Sequence, residues 1–90
     1  MVRVQVTFSG NVQGVGFRWS VLQISKAYKV TGYVKNLTNG TVELLAEGTE
    51  QDVCMMLENV ESKLKDFWFS KSVDERKGEP HFDTFYIEDS

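Results

Sequence analysis

A chain of 90 residues with 41% hydrophobic and 26% charged side chains has the make-up of one small globular domain, with no length for a second. Such a chain buries only about 60% of its extended surface, which keeps the core small. A net charge of −3 and a pI near 5.0 exclude a general nucleic-acid surface, and any anionic ligand has to be held by a local site rather than by the overall field.

At the start of the chain Val2, Val4, Val6 and Phe8 alternate with Arg3, Gln5, Thr7 and Ser9, which is strand periodicity. Phe17, Val21, Ile24 and Tyr28 then recur at helical spacing, predicting a helix from Phe17 to about Lys29. The strand-to-helix turn between them carries Gly10, Gly14 and Gly16, which bring bare backbone close to whatever occupies the turn. Gly14, Val15 and Gly16 offer the helix no Ser, Thr, Asp or Asn cap. Arg18 adds a positive charge in the first turn, where the helix dipole disfavours it by ~0.3–1 kcal/mol. One bound anion resolves both oddities. The plainer alternative is a tight turn with an arginine in water. The pattern is neither a Walker loop nor a dinucleotide fingerprint.

Thr31–Leu37 reads as a second strand, Asn39-Gly40 as a tight hairpin, and Thr41–Glu47 as the return strand with Glu43 and Glu47 on its polar side. Thr49 with Asp52 three residues on is a partial capping box. Val53, Leu57, Val60, Leu64 and Phe67 follow at helical spacing, with Met55 and Met56 expected as core filler. Cys54, the one cysteine, is expected to be a buried or half-buried structural side chain rather than a nucleophile. Phe69–Arg76 reads as a strand, Lys77–Pro80 as a turn and His81–Glu88 as a last strand. Phe67, Trp68 and Phe69 cannot all point inward from a helix end. Two buried rings and one exposed ring are expected, the exposed one being a candidate protein contact. The order predicts an α+β, ferredoxin-like split βαβ sandwich: an antiparallel sheet of about five strands with two helices on one face. That fold hosts enzymes, RNA binders and regulatory modules alike.

His81 stands alone, and no cluster of His, Cys and carboxylates has metal-ligand spacing, so no metal and no cofactor are expected. An enzyme without a side-chain nucleophile or metal is restricted to substrates that are already activated. Arg18 suits a phosphate, since its planar fork binds two oxygens and keeps its charge. Asn36 can donate and accept at once and so can orient a water, or it is simply a turn residue beside Asn39-Gly40.

Gly10-Asn11-Val12-Gln13-Gly14-Val15-Gly16-Phe17-Arg18 resembles the phosphate-binding signature of the acylphosphatase family. Gly32-Tyr33-Val34-Lys35-Asn36, followed by Asn39-Gly40-Thr41-Val42-Glu43, resembles its second signature. The resemblance implies hydrolysis of a small-molecule acyl phosphate to carboxylate and inorganic phosphate. It implies that Arg18 and the backbone N–H groups of Val12, Gln13, Gly14, Val15, Gly16 and Phe17 bind the phosphate and that Asn36 holds the attacking water. Thr41 is placed to steady Asn36 across the hairpin. The chain departs from the family's pattern at Asn11, where a basic residue is frequent, at Tyr33, where Trp is common, and at residues 65–70, which replace a Gly/Pro-rich connector. The remaining alternatives are a non-catalytic phosphate- or carbamoyl-phosphate-binding module and a protein-interaction module of the same fold. No signal peptide and no apolar run of membrane-spanning length are visible, so a cytoplasmic monomer with no membrane and no nucleic-acid partner is expected.

Overall fold

The computed structural model describes residues 1–88. Its elements are β1 (Val2–Gly10), α1 (Phe17–Ser25), β2 (Thr31–Asn36), β3 (Val42–Gly48), α2 (Glu50–Lys63), β4 (Trp68–Lys77) and β5 (Phe85–Ile87). The sheet order is β4-β1-β3-β2-β5. The first four strands pair antiparallel, whereas β5 lies parallel to β2, with Tyr33 beside Tyr86. The fold is the expected α+β ferredoxin-like sandwich, with that parallel strand added at one edge.

Alternation places Val2, Val4, Val6 and Phe8 on the helix side of β1, opposite Val42, Leu44 and Ala46 of β3. They form one core with Phe17, Val21 and Ile24 of α1 and Val53, Met56 and Val60 of α2. The N-cap half of the capping box forms: Thr49 Oγ1 accepts from the Asp52 N–H at 3.2 Å, and the Thr49 hydroxyl donates to Asp52 Oδ2 at 3.0 Å. Helix α1 stops at Ser25, short of the predicted Lys29. Its final turn tightens into i→i−3 bonds, in which the N–H groups of Lys26, Ala27 and Tyr28 donate to Gln23, Ile24 and Ser25.

The aromatic run divides as expected. Phe67 and Trp68 pack against the core, Trp68 edge-on to Phe8 with centroids 5.6 Å apart, and Phe69 is 81% exposed. Met56 is core filler, but Met55 and Cys54 are exposed. Both fall on the solvent side of α2, because Val53, Met56 and Val60 already occupy the stripe that faces the sheet.

The second face of the sheet corrects two expectations. Glu47, assigned to a polar surface, is 2% exposed. Its carboxylate pairs with Arg3 Nε at 2.8 Å and accepts from the N–H groups of His81 and Phe82 at 2.9 and 3.1 Å. Burial opposes ionisation, yet the Arg3 hydrogen bond and the two N–H donors outweigh it and hold the pKa below its ordinary value. The N–H groups of His81 and Phe82 are therefore spent on a clamp over Glu47, and pairing with β2 begins only where Gly32 N–H donates to the Thr84 carbonyl at 2.9 Å, which reduces the predicted last strand to Phe85–Ile87. Phe82 completes this cover, edge-on to Tyr33 at 5.5 Å. Burial and a 2.6 Å hydrogen bond to Glu43 raise the pKa of the Tyr33 phenol. Among the described residues, no helix is long and apolar enough to cross a membrane.

Candidate active site

Beyond β1 the chain makes the glycine turn the sequence predicts. Gly14 and Gly16 both adopt left-handed backbone, with φ of 77° and 76°, a conformation that side-chain-bearing residues rarely take. Gly16 is the N-cap of α1; no side chain caps the helix and no acidic residue stands in its first turn. By helix geometry the first-turn N–H groups have no acceptor within the helix, and the dipole adds partial positive charge there. This helix start is thus the opposite of the Thr49 end of α2, where a hydroxyl caps the helix and two acidic residues stand in the first turn.

A cleft of about 160 Å³ opens at this helix start. The turn contributes Val12, Gly14 and Gly16, the first helical turn contributes Phe17, Arg18 and Trp19, and the sheet contributes Asn36 and Ile87. Arg18 and Asn36, 18 positions apart in sequence, therefore share one cavity. Asn36 ends β2 on the same side as buried Val34, opposite Val42, which aims it at α1 rather than at the open face. Its Oδ1 is buried and has no hydrogen-bond partner in the protein. A buried acceptor in that state costs about 1–3 kcal/mol of desolvation unless a ligand or water bonds to it.

Gln13 and Val15 do not line the cleft. Val15 packs against the core, and the Gln13 side chain turns to the β2–β3 hairpin. Gln13 Nε2 donates to the carbonyls of Leu37 and Thr41 at 2.8 and 2.9 Å, tying the glycine turn to the loop that follows Asn36. Sequence reasoning assigned Gln13 only a backbone role, because its partners lie 24 and 28 residues away. The hairpin loop spans residues 37–41, closed by Leu37 N–H to Thr41 O at 2.9 Å. It is longer than a two-residue Asn39-Gly40 turn, and inside it the side-chain Oδ1 of Asn39 accepts from the Thr41 N–H and hydroxyl, at 3.1 and 2.6 Å. The Thr41 hydroxyl thus serves Asn39, and its link to the site runs through its main-chain carbonyl and Gln13. Lys35 points to the other face, between Glu43 at 3.7 Å and Glu88 at 3.3 Å. Among the described residues, no group of three His, Cys, Asp or Glu side chains could hold a metal ion.

Comparison with known proteins finds relatives of the chain in sequence and in fold. The acylphosphatase family model matches residues 4–87. An acylphosphatase of Methanospirillum hungatei is 54% identical over 48 residues, 53% of either chain, so the match spans about half the length of that relative. The crystal structure of acylphosphatase from Bacillus subtilis superimposes with a TM-score of 0.86 at 32% identity, covering 98% of this chain and 99% of that one. A probable carbamoyltransferase HypF of Methanocaldococcus jannaschii is 39% identical over 88 residues, 96% of this chain but only 11% of that protein.

Proposed function

The chain belongs to the acylphosphatase family, and we propose that it hydrolyses an acyl phosphate to carboxylate and inorganic phosphate. The observation that carries this reading is the buried, unpartnered Oδ1 of Asn36 in the same cleft as Arg18 and the uncapped start of α1. Arg18 and the backbone N–H groups of residues 12–17 hold the phosphate oxygens and draw off charge as it builds. Asn36 Oδ1 accepts a hydrogen bond from a water and holds it in line with phosphorus. As the water oxygen bonds to phosphorus, the bridging phosphorus–oxygen bond breaks and its electron pair leaves with the carboxylate. The water's proton passes to a phosphate oxygen or to solvent.

A carboxylate leaves readily as an anion, so positioning and electrostatics suffice and the proposed reaction uses neither a metal nor a general acid. Asparagine has no proton to exchange near neutrality, so Asn36 orients water without acting as a base. A second reading, a module that binds carbamoyl phosphate or phosphate without turnover, is favoured by the likeness to the carbamoyltransferase HypF.

Hydrolysis of benzoyl and acetyl phosphate, with and without chelator, separates the two. Chelator-resistant turnover that falls at least about 10²-fold in Arg18→Ala and in Asn36→Ala is expected. Phosphate that protects the wild type against heat without any turnover would move the assignment to the binding module. Arg18→Lys turning over like wild type would remove the two-oxygen role given to the guanidinium.

A further inference from the structure

The two tryptophans of the chain are used differently. Trp68 is half-buried, edge-on to Phe8, and its indole N–H donates to the Glu61 carbonyl at 3.2 Å. Packing accounts for it. Trp19 is 62% exposed and lies off the buried stripe of α1, which runs through Phe17, Val21 and Ile24. It nevertheless lines the cleft beside Arg18, and Ile87, a half-buried aliphatic side chain at the end of β5, lines it as well. Among the described residues of that lining, Arg18 is the one charged side chain.

In an acyl phosphate the acyl substituent begins just past the carbonyl carbon. A phosphate held at Arg18 and the turn therefore leaves that substituent within the remaining wall of the same small cleft. We propose that Trp19 and Ile87 form an acyl subsite and that the preferred substrates carry an uncharged aromatic or bulky aliphatic acyl group. The proposal rests on the acyl-phosphate reading of this cleft and adds the substrate class to it. A flat acyl group covers the indole face and removes apolar surface of both partners from water. An acyl group with a second carboxylate or phosphate would lose hydration against the indole with no further cation in the described lining to replace it. Acetyl phosphate is too short to cover Trp19.

The test compares kcat/KM for benzoyl, acetyl and succinyl phosphate in wild type, Trp19→Ala and Trp19→Phe. In wild type benzoyl phosphate is the best of the three. In Trp19→Ala the benzoyl-to-acetyl ratio falls roughly threefold to tenfold, the range an aromatic pair contributes. The change appears in KM more than in kcat, and Trp19→Phe recovers most of it. An unchanged ratio in Trp19→Ala, with both substrates still hydrolysed, overturns the subsite and leaves the acyl-phosphate reading standing. A wild type that hydrolyses none of the three overturns both. Exposure of Trp19 makes misfolding a poor explanation of either variant, and the phenylalanine form controls for it.

Discussion

Glu47 and Asn36 sit on neighbouring strands of one sheet, and each buries polar oxygen, but the two regions treat that oxygen in opposite ways. On the open face, the Glu47 carboxylate accepts from Arg3, His81 and Phe82, and Arg3 continues the clamp by donating to the Glu79 carbonyl at 3.0 Å. On the helix side, the Asn36 Oδ1 accepts from nothing in the protein. A saturated buried group holds a fold together, because removing one partner strands the others. An unsatisfied one is a stability cost retained next to Arg18 and an open helix start, the kind of place where proteins trade stability for function. Burial of a polar atom therefore says little until its partners are counted.

The comparison can be broken at either end. The largest effect is expected for Asn36→Leu: turnover falls at least about 10²-fold, while the melting temperature holds or rises because a buried unpaired acceptor is gone. Kinetics beside calorimetry decides it, and a stable variant that keeps turnover removes the functional half of the contrast. Glu47→Ala should do the reverse. Removing the carboxylate strands the His81 and Phe82 N–H groups and leaves Arg3 with the Glu79 carbonyl, which costs roughly 2–4 kcal/mol in urea unfolding, with kcat per folded molecule unchanged.

The same clamp sets a pH dependence. The folded-state pKa of Glu47 is depressed, so its contribution is complete above the ordinary value of 4.5 and is lost as pH falls through the lower folded-state value. Urea midpoints should therefore drop in that acid window for wild type and drop less for Glu47→Gln. Gln13→Ala comes next, at about 1–2 kcal/mol for two half-buried hydrogen bonds, with a lower kcat because the loop that follows Asn36 is no longer tied to the turn. A Gln13→Ala enzyme with unchanged kcat would show that the tie serves only the fold. Phe69→Ser should shift stability by no more than about 0.5 kcal/mol, since that ring is 81% exposed.

Local chemistry made much of this molecule readable in advance. The alternation of Val2 to Phe8, the Thr49 cap, the missing cap at Gly16 and the placement of Arg18 each depend on neighbours within a few residues. Period and propensity report such neighbours directly. The order of elements then narrows the fold to a split βαβ sandwich, because few topologies bury those stripes. Tertiary structure decided the rest. Whether Glu47 faces water depends on Arg3 and on residues 79–82, more than thirty positions away in either direction. The burial of Asn36 Oδ1, the turning of Gln13 to the hairpin and the presence of Trp19 and Ile87 around one cleft likewise depend on contacts between distant segments. Such contacts leave no period in the sequence, since each is fixed only when the sheet brings its partners to the same end and face of the molecule.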